Sequence, residues 1–294
     1  MERVILETTK VKYNVNTIIV LVLLILGSVI MIVPFLWMFL TAFKSFQETL
    51  AIPIQWLPND LFVENGVFSL SRSLENFTDV LYRMNFTKFY FNTILVTFSI
   101  TVMQLLFCSM AAYGFARIEF PGRNAIFIGL LSMLMIPIQM TLIPSFMLLS
   151  SFGWINTLKA LTIPHFFSAF GTFFLRQFFL TLPKELEEAA IIDGASHLRI
   201  YSQICLPLSK AALSALAIFI VLWAWNDLMW PLVMANRESL RLLSVGIATL
   251  LGQYTTRNNW LMAASVLATA PMIIIFILFQ KQFVSGIAIT GIKG

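Results

Sequence analysis

Charge is scarce in this sequence. Only 11% of its 294 residues are Asp, Glu, Lys or Arg and 59% are hydrophobic, against about 25% and 45–50% in soluble domains. A water-soluble domain of this length has too little interior to hide that much apolar surface, which excludes the soluble globular class and points to an integral membrane protein. Cysteine and histidine are equally sparse, with two of each. Cys108 lies in an apolar run and Cys205 in a polar insert, so a disulfide framework is excluded, and neither has metal-ligand spacing. His165 and His197 lie too far apart in the chain for a zinc-binding pair. The phosphate-binding pattern G-x-x-x-x-G-K-[ST] is missing, so any ATP must be hydrolysed by another polypeptide. No G-x-S-x-G stands near a plausible histidine partner either. The net charge of +5 is scattered between apolar runs without a block or stripe, which argues for loop anchors rather than a nucleic-acid surface.

What is present is a series of apolar runs, near residues 17–41, 92–116, 124–150, 158–181, 209–233 and 260–283. Roughly 20 apolar residues cross the hydrocarbon core, so these predict six membrane-spanning helices and an all-α membrane fold. The first run is too long for a signal-peptide core and no small-residue cleavage site follows it. Pro34, Pro137, Pro144, Pro164, Pro231 and Pro271 fall inside the runs, and bent helices suit a cavity or gate better than a rigid anchor. With both termini on one side, that side collects the larger share of the 19 Lys and Arg residues, as expected for cytoplasmic termini. The chain then divides into a cytoplasmic segment (1–16), a first span (17–41), an extracytoplasmic loop (42–91), a core of five spans (92–283) and a cytoplasmic tail (284–294).

One insert, residues 183–208, departs from this pattern: EEAAIIDGASHLRIYSQICLPL, from Glu187 to Leu208, is acidic, turn-containing and compact. Pro183 suits a helix start, and Glu185, Glu187 and Glu188 complement the positive end of a helix dipole. Gly194 is placed to end that helix in the left-handed conformation, and Ser196 to cap a second one. The second arm is expected to carry Leu198, Tyr201, Ile204 and Cys205 on one face, and Leu206-Pro207 to stop it. Membrane-surface helices carry Lys and Arg on the polar face. This first arm is acidic, which favours a docking knob for another protein over a connector lying on headgroups.

Glu188-Ala189-Ala190, Asp193-Gly194-Ala195 and Leu206-Pro207 resemble the EAA loop of ATP-binding-cassette importer permeases; Tyr201 stands where many members have Phe. Further motifs resemble the second permease subunit of carbohydrate importers of the maltose and glycerol-phosphate type. These are Leu74-Glu75-Asn76-Phe77, Phe91-Asn92-Thr93, Ile136-Pro137, Trp225-Asn226-Asp227, Trp230-Pro231-Leu232 and the closing Thr290 to Gly294. The resemblance implies a prokaryotic inner-membrane subunit that binds no cofactor itself. Its implied partners are a second permease, two ATPase subunits carrying ATP and magnesium, and an extracytoplasmic solute-binding protein that delivers a sugar. It further implies that Glu188 pairs with a cation on the ATPase, that Ala189 and Ala190 permit close packing, and that Asp193-Gly194 with Ala195 sets the angle between the arms. Tyr201, Leu206 and Pro207 complete that coupling element.

Polar residues within the spans are candidates for the translocation path: Gln104, Gln139, Thr141, Asn226 and Asp227, with Trp230 as an aromatic platform. The rival reading is an ion-gradient-driven secondary transporter, which predicts internal repeats and charge at mid-membrane. No persuasive repeat is visible, and Asp227 alone approaches the second requirement.

Overall fold

A computed structural model of the chain describes residues 15–59, 63–64, 67–68, 74–253 and 257–291. The described residues are helical apart from loops and a small hairpin, in which Val63–Glu64 (β1) pairs antiparallel with Val67–Phe68 (β2), Val63 opposite Phe68. The chain divides into two units. One comprises residues 1–77 and 256–266, the other 78–255 and 267–294.

In the first unit, α1 (Val15–Ala42) is apolar on every side and buries only Thr41 and Ala42 within the protein. A helix hydrophobic all round needs lipid or a partner around it. After it, α2 (Phe46–Thr49) is closed by a capping box between Ser45 and Glu48. Lys44 is buried, donates through Nζ to the Gln55 carbonyl and lies 4.1 Å over the Trp37 ring. Burial alone would raise the Glu48 carboxyl; backbone N–H donors of Asn59 and Ser45, the Ser45 hydroxyl and the Lys44 charge more than offset this and hold it below its ordinary range. Asn76 ties the segment together, donating to the carbonyls of Ala42 at 2.9 Å and Lys44 at 2.8 Å and accepting from Asn259 at 2.7 Å.

The second unit is built on α4 (Phe86–Arg117), which follows α3 (Glu75–Arg83). Along one side of α4 run Val96, Ile100, Gln104, Cys108, Ala112 and Ala116, all buried and four residues apart. That spacing makes a continuous ridge for helix packing. Towards the end of α4 the ridge is made of small residues, which lets α8 (Ala169–Thr181) come close: a Cβ on Gly171 would lie 3.1 Å from the Cys108 sulfur. Helix α12 (Lys210–Asn226) covers the same core with Ala212, Leu216 and Ile220.

Helices long and apolar enough to span are α1, α4, the stretch Leu158–Thr181 and Asn258–Gln280, with two bent pairs bringing the number up to six. The stretch Leu158–Thr181 consists of α7 (Leu158–Thr162), a 3-10 turn at Ile163–His165 and α8. The expected third span is two helices, α5 (Arg123–Ser132) and α6 (Ile138–Ser151), bent by 101°. Pro137 lacks an N–H and disfavours helical backbone at Ile136, which is extended at ψ 116°. The run 209–233 is likewise interrupted: α12 ends at Asn226, and α13 (Met229–Met234) begins after Asp227 and Leu228. An 11-residue apolar helix, α14 (Leu243–Gln253), precedes the last helix, α15 (Asn258–Gly291). Asn92 anchors the approach to α14, donating to the carbonyls of Ser239 at 3.0 Å and Arg241 at 3.1 Å, while Thr93 accepts from the Leu243 N–H at 2.9 Å.

Candidate functional site

The insert folds as a helical hairpin. Its first arm is α9 (Glu185–Ile192), and its second is α10 (His197–Ile200), continued by a π-helical turn at Tyr201–Cys205 and by α11 (Leu206–Leu208). The bend between them is a Schellman motif. Gly194 sits at φ +79°, its N–H donates to Ile191 O at 2.9 Å, and the Ala195 N–H donates to Ala190 O at 2.9 Å. Ser196 then caps α10 by accepting from the Arg199 N–H.

Contrary to expectation, Pro207 does not stop the second arm. The preceding π turn widens the helix where the proline ring would meet the carbonyl four residues back, so the helix continues to Leu208. The change of direction comes at Ser209, with 78° between the arm and α12. The wider turn also shifts the helix face. Tyr201 and Cys205 are buried and Ile204 is half-buried, but Leu198 points out at 68% exposure.

One face of the hairpin is gripped by a stripe on α4. Ser109, Tyr113 and Arg117 stand four residues apart and each holds a different part of the insert. Ser109 Oγ and the Tyr201 hydroxyl are 2.7 Å apart, and Tyr113 OH lies 3.4 Å from His197 Nδ1, its ring 5.5 Å from that of Tyr201. Arg117 Nε forms an ion pair with Glu187 Oε1 at 2.9 Å, with only 4% of the arginine side chain exposed. Arg117 Nη2 also donates to Phe179 O at 2.6 Å, which accepts the Leu182 N–H as well, and to Leu182 O at 2.7 Å, just past the end of α8. A single guanidinium thus joins the ends of α4 and α8 to the hairpin. The Cys205 thiol lies against the same carboxylate, 3.6 Å from Glu187 Oε1, and Ala190, Ala195 and Leu206 pack partly buried against the core.

The opposite face is left bare. Glu188, Ala189, Asp193 and Gly194 are exposed, and around them Leu186, Ile191, Ile192 and Leu198 present apolar surface. Sequence reasoning misses the grip, although a signal for it is there: three hydrogen-bonding side chains at i, i+4 and i+8 in the last turns of α4, where the other residues from 105 to 117 are Leu, Phe, Cys, Met, Ala and Gly.

Five of the six pathway candidates fall into two neighbouring cavities of the second unit. Gln139, Asn226, Asp227 and Trp230 line one of about 330 Å³ together with Trp223. Gln104 lines another of about 440 Å³ with His165, Ser168 and, again, Trp223. Thr141 lines neither; its hydroxyl donates to Ile138 O at 2.9 Å. Two candidates also have structural work. Asp227 Oδ1 accepts from the Trp230 N–H at 3.4 Å at the start of α13, and Trp230 Nε1 donates to Ala160 O at 2.9 Å. His165, which the sequence argues against as a metal ligand, lies between indoles, 4.9 Å from Trp223 and 4.7 Å from Trp230.

Comparison with known proteins places this arrangement. Residues 9–289 match the family described as binding-protein-dependent transport system inner membrane component. The arabinooligosaccharides transport system permease protein AraQ of Halalkalibacterium halodurans is 34% identical over 267 residues, 90% of this chain and 92% of that one. The sn-glycerol-3-phosphate transport system permease protein UgpE of Brucella abortus is 31% identical, over 91% and 94%. The diacetylchitobiose uptake system permease protein NgcG of Streptomyces coelicolor is 33% identical, over 90% and 85%. Among solved structures, a chain of a bacterial ABC transporter that imports the acidic polysaccharide alginate has the same fold, with a TM-score of 0.79 at 23% identity over 92% of this chain and 99% of that one. The gradient-driven alternative gains no support from any of these. The chain belongs to the inner-membrane components of binding-protein-dependent transport systems.

Proposed function

We propose that this chain is one of two permease subunits of an ATP-driven sugar importer, and that residues 185–208 couple it to a separate ATPase. The observation that carries the coupling reading is the two-faced hairpin: one face is fastened to α4 through Ser109, Tyr113 and Arg117, and the other offers Glu188 with Ile191, Ile192 and Leu198. A lever must be rigid relative to what it moves and adhesive towards what moves it, and this element meets both requirements.

On this reading ATP and magnesium are bound by two ATPase subunits. Closure of those subunits displaces the hairpins, and the displacement reaches α4 and α8 through the Arg117 junction and α12 through the chain at Ser209. The pathway then exchanges inward-open for outward-open geometry as packed helices move about their interfaces. ATP drives the exchange only if the ATPase pair, with and without ATP, binds the two hairpin arrangements with different affinity. The hairpin and both termini face the cytoplasm. Residues 42–91 and the mouth near α13 face the other side, where a solute-binding protein delivers cargo. Sugars are the cargo class favoured by relatives named for arabinooligosaccharides and diacetylchitobiose.

The test is to purify the chain with its co-encoded partners, reconstitute the complex in proteoliposomes and follow uptake of labelled saccharides. Uptake is expected to require ATP and the binding protein together. Uptake that follows an imposed ion gradient without ATP would overturn the proposal, as would the absence of any saccharide uptake.

A further inference from the structure

Resting on that importer reading, we propose that Gln104, His165 and Trp223 form a subsite for one ring of an uncharged sugar, on this chain's own side of the pathway. Gln104 is the polar member of the buried α4 ridge, 7% exposed between Ile100 and Cys108. Its Oε1 and the Nε2 of His165 are both buried without a hydrogen-bond partner among the described residues. Both side chains line the same cavity. Both atoms are covered by surrounding protein, so a ring in the cavity pairs with them when the two side chains turn towards it, and the cost of burying them unpaired favours that turn. A sugar hydroxyl is donor and acceptor at once, so it can satisfy an amide oxygen and either state of an imidazole nitrogen.

Three further observations agree. The remaining wall includes Trp223, Phe167, Phe170 and Phe219, so polar groups are few and the apolar surface can take the C–H face of a sugar ring. The volume of about 440 Å³ lies within the roughly 300–1,000 Å³ of small-molecule sites. The backbone is also irregular there: after the 3-10 turn at Ile163–His165 the chain is non-helical until α8 begins at Ala169. Non-helical backbone at membrane depth is tolerated where it lines a cavity.

Charge selects the sugar class. No Lys, Arg, Asp or Glu lines this cavity, and Asp227 supplies the charge in the neighbouring one that shares Trp223. A phosphorylated or uronic-acid ring would meet no cation from this chain's acidic and basic residues and would approach a carboxylate. An uncharged ring meets neither difficulty.

The experiment is equilibrium dialysis of the purified complete membrane complex, binding protein omitted, against labelled arabinobiose, diacetylchitobiose and a diuronic acid. At least one uncharged disaccharide is expected to bind, and the diuronic acid at least tenfold more weakly. Gln104→Leu and His165→Phe should each raise Kd roughly fivefold to tenfold, the loss of one hydrogen bond to a ligand. His165→Gln should recover most of the loss, and all variants should retain their partner subunits. An unchanged Kd in Gln104→Leu and His165→Phe overturns the subsite, as does preferred binding of the diuronic acid. A complex that imports saccharides with ATP but binds none of these probes also overturns the subsite while leaving the importer reading intact. Absence of ATP-driven saccharide uptake, by contrast, removes the importer reading itself.

Discussion

Replacing Arg117 by Met should release the hairpin without unfolding the protein. The substitution keeps an apolar stem of similar reach but removes the cation 2.9 Å from Glu187 and the donor serving Phe179 O and Leu182 O. Breaking a buried ion pair from one side costs about 3–5 kcal/mol, because the remaining charge is left without compensation. Glu187 is 13% exposed and can turn towards water, so the lower end of that range applies to the pair. The lost hydrogen bonds to Leu182 O and to Phe179 O, which keeps the Leu182 N–H, add to it, each bond to a charged donor contributing about 1.5–3 kcal/mol. These terms share one side chain and do not sum, so about 3–5 kcal/mol stands as the whole effect. It falls on the docking of α9 to α11 rather than on the helix core, and the loss is a local opening. Amide hydrogen exchange across residues 185–208 of the purified complex is the assay. With 1.4 kcal/mol per factor of ten, exchange should accelerate by roughly two to three and a half orders of magnitude, while the ridge residues of α4 stay protected. The double variant Arg117→Met, Glu187→Leu should regain part of the protection, since no buried charge is left unpaired. Exchange in Arg117→Met within threefold of the parent chain would refute the claim that this junction fastens the lever.

Gly194 gives a second test, because its constraint is purely conformational: a Cβ there would meet nothing within 4 Å, yet φ is +79°. Gly194→Ala should cost about 1–2 kcal/mol and Gly194→Val more, while Gly194→Asn should be milder, as Asn visits the left-handed region. Circular dichroism should remain helical while transport per ATP falls in that order; equal behaviour of Ala and Asn would contradict it. The segment around α2 is predicted to depend on acid. Because Glu48 titrates below its ordinary value of 4.5, its stabilisation is complete above that value and is lost as pH falls through the lower folded one. Exchange of residues 45–59 should therefore rise below that point in the parent chain, and Glu48→Gln should abolish the dependence; a persistent dependence would assign it elsewhere.

Local rules make much of the hairpin legible in the sequence. Gly194 and Ser196 act through the backbone of their own turns, so the bend and second cap can be read from adjacent residues, whereas Pro183 lies one residue before the N-cap Lys184 rather than in the first turn. Pro207 escapes those rules because the remedy, a π turn at Tyr201–Cys205, depends on how that arm packs. The same limit hides the grip of Ser109, Tyr113 and Arg117, whose hairpin partners lie 70 or more positions along the chain. Among the pathway candidates, composition singles out polar residues in apolar runs but does not say which share a cavity. Gln139, Asn226, Asp227 and Trp230 do, Gln104 lines the next one, and Thr141 spends its hydroxyl on its own helix. The breaks at Ile136-Pro137 and Asp227-Leu228 follow a similar division: the first is written in a proline, the second in the contacts of one aspartate, with Ser244 Oγ donating to Asp227 O at 2.6 Å.

The central claim is that the bare face of the hairpin receives an ATPase. Affinity purification of the tagged chain from gently solubilised membranes tests it most directly, comparing the parent sequence with Glu188→Lys. Glu188 is exposed and makes no contact in the α4 grip, so the variant hairpin should fold normally and hydrogen exchange over 185–208 should match the parent. The parent is predicted to bring down a second permease and an ATPase, and Glu188→Lys to keep the permease and lose the ATPase. Full retention of the ATPase by Glu188→Lys, or an ATPase absent from both, would contradict the claim.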